Sequence, residues 1–322
     1  MKTKKSINLL DRYLKYQNIN SIINDKIKNA KNKCLYPIKN GAYTLNDVIL
    51  LYKRLGIESA DGSVYLSQIK DTKNIYKFAT KIQLLTSKSY KELKYLDLLT
   101  RVSIKTKNIH LPLMYNNLEC SYFNKEDKLL PSNLRDEKYK YINSYFSTFV
   151  ELANGDLGTY INDNIDKSTF TIKDYNNALS QCFIGILTCH INYIIHKDTH
   201  LYNFLYHIIQ KNNLSCFKYV FKDLVFYIEN IGLNWVIWDF GRSDDITFFK
   251  NNNYIDDYLD LLETLIDDNN VIISTKYKSY LFEIYNGIKS FNRDYDLIKY
   301  LLEKKLLFSD KQIGTIITTI IL

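Results

Sequence analysis

Apolar and polar positions divide the chain into a strand-rich first part and a helix-rich second part. Gly62 to Gln68 and Ile75 to Leu84 have the β-branched and aromatic content of two hairpin strands, with Lys70-Asp71-Thr72-Lys73-Asn74 as the turn between them. Glu92-Leu93-Lys94-Tyr95-Leu96-Asp97-Leu98-Leu99 repeats leucine at helical spacing and predicts a helix. Further strands are expected near Leu111–Phe123 and Tyr141–Glu151, with the polar stretch Asn124–Lys140 as a loop or insertion. Leu179 to Ile195 is apolar at roughly helical spacing and predicts a long buried helix. Cys216 to Ile228, rich in Phe, Tyr and Val, favours added strand pairing. The fold class read from this pattern is α+β, with a helical extension over residues 1–45. A smaller strand-rich part follows over about 46–150, and a larger, mainly helical part over about 156–322.

Composition narrows this little. The 322 residues suffice for a sizeable core, and 46% hydrophobic with 24% charged residues is ordinary for a globular protein. Tyr is abundant at 28, beside many Asn, Ile and Lys, all with AT-rich codons. An AT-rich genome, such as that of a large DNA virus or a protist, fits this bias. The five cysteines are odd in number and scattered, with no C-x-x-C pair, which argues for a reducing compartment and against a disulfide frame or a zinc site. The N-terminus lacks the apolar core of a signal peptide, and Ile313–Leu322 is too short to cross a bilayer. A soluble, intracellular protein with no transmembrane segment is expected.

The net charge of +8 is uneven: residues 1–34 hold nine Lys/Arg against two Asp, a net +7. Ile7, Leu9, Leu10, Tyr13, Leu14 and Tyr16 give this stretch a partly amphipathic helical look. It reads as a solvated helix lying against the smaller part, or as a surface for an anionic partner.

The chemistry concentrates in two places. His196-Lys197-Asp198-Thr199-His200-Leu201-Tyr202-Asn203 sets an Asp and an Asn five residues apart, after the apolar Tyr193-Ile194-Ile195. Asp239-Phe240-Gly241 follows the apolar Trp235-Val236-Ile237-Trp238. Two carboxylates and an amide in this order suit the positioning of metal ions and a hydroxyl beside a triphosphate.

At these residues the chain resembles the protein-kinase-like superfamily. Phe78-Ala79-Thr80-Lys81-Ile82 is similar to the strand whose lysine grips the α- and β-phosphates, and Glu92 occupies the place of that lysine's helical partner. Gly62-Ser63-Val64-Tyr65 resembles the last part of the glycine-rich loop, and Val150 to Leu157, including Glu151 and Ala153, resembles the hinge between lobes. The resemblance implies a two-lobed fold, with N-lobe about 46–150, hinge about 151–155 and C-lobe about 156–322. It also implies ATP and Mg²⁺ bound in a cleft: Gly62, Val64, Lys81, Glu92, Glu151 and Ala153 toward the nucleotide, Asn203 and Asp239 on metal, and Asp198 as catalytic base with Lys81 and Asn203 assisting.

The departures bear on the acceptor. In the frame set by Gly62, Ile57 and Ser59 stand where the first two loop glycines belong. His200 replaces the Lys of Ser/Thr kinases and the Ala of tyrosine kinases, as in aminoglycoside- and choline-kinase-like enzymes and in some divergent eukaryotic-type kinases such as haspin. Only about fifteen residues lead from Asp239 to Tyr254-Ile255-Asp256-Asp257-Tyr258-Leu259-Asp260-Leu261-Leu262, which resembles the helix after the activation segment, so that segment is shortened. The expectation is transfer of the γ-phosphoryl group to a Ser/Thr of a protein substrate. A small-molecule hydroxyl and a pseudokinase scaffold stay open as alternatives.

Overall fold

Every side chain discussed below is positioned by one of two compact units, Leu10–Asp97 with Leu113–Leu152 and Leu98–Pro112 with Ala153–Leu322. The computed structural model describes residues 8–27, 33–56, 62–70, 75–121, 129, 141–142, 144–164, 171–211, 214–246, 254–267 and 275–322. Ile57, Ser59, the turn residues Asp71–Asn74 and most of the expected 124–140 loop lie outside the described residues. The α+β class holds.

The first unit is built on one antiparallel sheet. Its strands are β1 (Tyr36–Pro37), β2 (Tyr43–Leu45), β3 (Ile49–Leu55), β4 (Ser63–Lys70), β5 (Ile75–Leu84), β6 (Met114–Cys120) and β7 (Tyr145–Val150), in the order β1-β2-β3-β4-β5-β7-β6. Phe78 meets Tyr115 and Phe149 edge to face, with centroids 6.2 and 5.8 Å apart, the geometry ring quadrupoles prefer. Helix α1 (Leu9–Ile27) adds Ile19, Ile23 and Ile27 to the same core. Spaced four apart, they form one apolar stripe.

Of the apolar residues that gave the N-terminal stretch its amphipathic look, Leu9 is buried, Tyr16 packs against the core and Leu14 is exposed, while the isoleucine stripe lies in the core. Its charge is also partly internal. The buried Arg12 guanidinium grips the buried Glu151 carboxylate, with Nε donating at 2.7 Å and a second bond from Nη2. Lys15 Nζ donates to the Lys77 carbonyl at 2.8 Å, and Asn20 Nδ2 to the Tyr115 carbonyl at 2.6 Å.

The cysteine expectation is corrected in one respect: Cys34 and Cys120 form a disulfide across a sequence separation of 86. Two cysteines this far apart leave no local spacing signal, and only the fold brings them together. Cys182, Cys189 and Cys216 are buried free thiols.

The second unit carries helices α2 (Ser87–Thr106, from Leu98 onward), α3 (Leu157–Asn164), α4 (Ile172–Ile191), α5 (Asp256–Asp267), α6 (Thr275–Ile288) and α7 (Asp294–Glu303). Helix α4 begins with a capping box, Thr171 N–H donating to Asp174 Oδ2 at 2.8 Å, and is buried almost throughout. The strands are β8 (Gly155–Asp156), β9 (Ile194–Ile195), β10 (Phe204–Ile208), β11 (Ser215–Phe221), β12 (Leu224–Glu229), β13 (Leu233–Ile237), β14 (Asp244–Asp245) and β15 (Thr315–Ile321). They form sheets ordered β13-β10-β8, β12-β11-β15 and β14-β9. The aromatic run at Cys216–Ile228 is thus a hairpin, with β15 added in parallel to β11. Among the described residues no helix is long and apolar enough to cross a membrane.

Two outcomes follow. Arg12→Ala removes the guanidinium from the buried Glu151 carboxylate and lowers unfolding stability in urea by about 3–5 kcal/mol, whereas Arg12→Met with Glu151→Met recovers most of it. A loss below about 1 kcal/mol would show that the pair is not fully desolvated. Alkylation of the denatured, unreduced chain should modify Cys182, Cys189 and Cys216 but not Cys34 or Cys120; prior reduction should expose both.

Candidate functional site

In the second unit the hairpin of β10 and β13 determines the geometry. Phe204 pairs with Ile237, so Asn203 and Trp238 sit opposite one another where the hairpin opens, and Trp238 N–H donates to the Asn203 carbonyl at 2.8 Å. Asp239 is the next residue along. The hairpin therefore brings Asn203 and the Asp239 segment to one place, although 36 sequence positions separate them.

Asp198 joins them through the loop between β9 and β10. Asn203 Nδ2 donates to the Asp198 carbonyl at 2.8 Å and lies 3.3 Å from its carboxylate Oδ2. Arg242 Nη1 donates to Asp198 Oδ1 at 3.1 Å, and His200 Nε2 stands 3.8 Å from Oδ2. His200 also accepts from Tyr202 N–H through Nδ1 at 3.2 Å, opening the 3-10 turn Leu201–Asn203. Asp239 has a left-handed backbone, φ 62°, and its side chain accepts from Gly241 N–H at 3.4 Å. A non-glycine residue in that region is strained and persists where its surroundings over-determine it. Phe240 turns inward, fully buried, with its ring 5.1 Å from that of His196.

The loop is held from beneath by a residue that local pattern did not single out. Asp257, in the first turn of α5, is buried and accepts from His196 N–H and Lys197 N–H, both at 2.7 Å. His190 Nε2 lies 3.0 Å from the same carboxylate, and its Nδ1 lies 2.8 Å from Asp294. Both ring nitrogens thus face carboxylates, which calls for the doubly protonated imidazolium. Burial works against the His190 charge, but Asp294 and Asp257 outweigh it and push the pKa up to about 9. For Asp257, burial acts upward, and the His190 hydrogen bond and charge hold its carboxyl below the usual carboxylate range. The signal available in the sequence was the Asp256-Asp257 pair opening a helix, which reads equally as helix-dipole compensation.

His196 behaves differently. Burial lowers its pKa, and Nε2 sits 2.8 Å from the Trp238 carbonyl, so Nε2 carries the proton and the ring is neutral. Nδ1 is buried with no hydrogen-bond partner among the described residues. The ring braces the loop against the Asp239 segment and is not placed to titrate.

In the first unit, Lys81 Nζ lies 2.6 Å from Glu92 Oε1, both buried, while Gln83 Nε2 donates to Glu92 Oε2 at 2.8 Å. Val64 is the cross-strand neighbour of Lys81. Gly62 has a steric reason unrelated to phosphate: a Cβ there would lie 2.4 Å from the Ile82 carbonyl oxygen. The Glu151 carboxylate is committed to Arg12 and also accepts from Leu113 N–H at 3.0 Å. Ala153, in the second unit, precedes Asn154, whose N–H donates to Tyr206 of β10 at 2.8 Å.

The structure thus brings Lys81 to Glu92, and Asp198 to Asn203 beside Asp239. Among the described residues no group of three or more His, Cys, Asp or Glu side chains makes a metal cage. The Asn203 amide nitrogen is directed at Asp198, leaving its amide oxygen, with the Asp239 carboxylate, as hard oxygen donors. That set fits a magnesium ion completing its shell with phosphate and water. Compared with models of known protein families and with curated proteins, the chain matches none.

The His190 charge gives a pH dependence. Its folded pKa is raised, so its stabilisation is complete below about 6.5, the ordinary histidine value, and is lost as pH rises toward about 9. Urea midpoints should fall across that window in the native chain and stay flatter in His190→Gln; parallel curves would contradict the assignment.

Proposed function

We propose that the protein is an ATP- and Mg²⁺-dependent phosphotransferase of protein-kinase-like, two-lobed design, acting on a Ser/Thr hydroxyl of a protein. The observation that carries this reading is the Asp198–Asn203–Asp239 grouping where the β10–β13 hairpin opens, with its loop tied down by Asp257. The buried Lys81–Glu92 pair supports it independently, because a buried lysine positioned by a carboxylate is a charge that phosphate oxygens can meet.

In the proposed reaction the acceptor hydroxyl oxygen attacks the γ-phosphorus and its proton passes to Asp198. The bond from the γ-phosphorus to the β–γ bridging oxygen breaks, and ADP leaves with the electron pair. Lys81 bears on the phosphates, and Asn203 and Asp239 would hold magnesium, which when bound neutralises phosphate charge. The residues contribute mostly position and fixed charge. His200 and the short stretch between Asp239 and α5 favour a small-molecule hydroxyl as the second reading.

Purified full-length chain with Mg²⁺-ATP and dephosphorylated casein should transfer labelled γ-phosphate to Ser/Thr. Asp198→Asn should lower the rate by about 10²–10⁴-fold, Asp239→Asn should abolish Mg²⁺-dependent turnover, and both variants should melt like the native chain. ATP consumption that survives both substitutions sinks the reading. Turnover of ATP with a hydroxylated small molecule but not with casein selects the second one.

A further inference from the structure

Each oxygen of the candidate base already has a donor or cationic neighbour. Asp198 Oδ1 is held by Arg242 Nη1 at 3.1 Å, while Oδ2 faces Asn203 Nδ2 at 3.3 Å and His200 Nε2 at 3.8 Å. A hydroxyl that gives its proton to this carboxylate needs an oxygen within hydrogen-bond reach, about 2.6–3.2 Å. An arriving hydroxyl competes with these contacts for the carboxylate's lone pairs, and it gains most from displacing the one most easily moved.

The contacts are not equally easy to move. Asn203 is buried and fixed at both ends of the residue, its side chain to the Asp198 carbonyl and its own carbonyl to Trp238 N–H. His200 is anchored through Nδ1 by Tyr202 N–H. Arg242 differs: its side chain is 67% exposed against 19% for Asp198. Its backbone is fixed by the 3-10 turn Phe240–Arg242, between buried Phe240 and buried Ser243, but the guanidinium reaches Asp198 from solvent. The neighbouring carboxylate Asp244 is engaged by Lys197 Nζ at 2.5 Å.

We propose that Arg242 is an acceptor gate, a positioning residue that covers Oδ1 of Asp198 in the acceptor-free protein and is displaced when a hydroxyl arrives. This deepens the phosphotransferase reading and rests on it. The gate is weak by construction, because an exposed ion pair is marginal in water and is screened by salt, so its removal changes rates by about two- to fivefold. It tells against acceptors too small to displace a guanidinium and favours a substrate with contacts of its own around the loop.

The test has one arm that does not depend on activity. The native chain and Arg242→Gln are treated with a water-soluble carbodiimide and an amine, and labelling of Asp198 is followed by peptide mass spectrometry. Arg242→Gln should label about two- to fivefold faster, and Arg242→Lys should fall between. At about 1 M salt, where screening acts within about 3 Å, the native rate should approach that of Arg242→Gln. Equal labelling at low salt overturns the gate. The second arm measures phosphate transfer to dephosphorylated casein: Arg242→Gln should lower KM for casein about two- to fivefold with KM for ATP unchanged. A raised casein KM, or a fall in kcat alone, also overturns the gate, while turnover by the native chain leaves the phosphotransferase reading standing. Labelling that responds as expected while neither protein consumes ATP refutes the phosphotransferase reading and, with it, the gate.

Discussion

A single buried carboxylate, Asp257, holds the candidate catalytic loop in shape. The loop turns through Lys197 at φ 62°, a left-handed conformation that points successive N–H groups inward, away from water. Two of those N–H groups end on Asp257. Unpaired, each would cost about 1–3 kcal/mol, and the loop would relax toward an ordinary backbone that no longer carries Asp198 beside Asn203. An ionised carboxylate is tolerable there because His190 stands against it as a cation. Asp294 neutralises the far side of that ring and accepts from the Tyr258 hydroxyl at 2.7 Å. The network ties α4, α5 and α7 to one loop, so elements outside the loop govern where Asp198 sits.

The same logic accounts for two of the left-handed backbones among the described residues. Lys197 and Asp239 both have φ near 62°, and each lies within a residue of a proposed functional group or is one. Asp257 restrains the first. The second is restrained by burial of Phe240 and by the Trp238 hydrogen bond to Asn203. Backbone conformations of this kind persist where packing leaves no alternative.

How legible was this in the sequence? Elements with local periodicity were readable: β4, β5, the long α4 and the aromatic hairpin of β11 and β12 all lie within runs whose patterning marked them. So was the pairing of Lys81 with Glu92, because a family resemblance supplied a relation that spacing alone does not. Two pairings inside the first unit were not readable. Arg12 meets Glu151 across 139 positions and Cys34 meets Cys120 across 86, and nothing in the neighbourhood of any of the four residues announces its partner. Asp257 was hidden for a related reason, since an acidic residue in the first turn of a helix is ordinary and only tertiary structure turns it inward. Gly62 illustrates the opposite hazard: a glycine read as part of a phosphate loop has a sufficient cause in the close approach of Ile82.

The sheet of β11, β12 and β15 connects to the strand leading into the candidate site through His110. His110 Nδ1 lies 2.8 Å from the Trp235 carbonyl, so that nitrogen carries the proton, and Nε2, 2.6 Å from the Tyr219 hydroxyl, accepts from it. Burial raises the Tyr219 pKa well above its ordinary value, which keeps the hydroxyl available as a donor. The His110 carbonyl accepts from Ile237 N–H at 3.1 Å, two residues before Asp239. Strand β13 is therefore held on one side by the register with β10 and on the other by a side chain whose second nitrogen is fixed by β11. The hairpin of β11 and β12, which lies in sequence between Asn203 and Asp239, thus also stiffens the strand that delivers Asp239, through the Tyr219 hydroxyl.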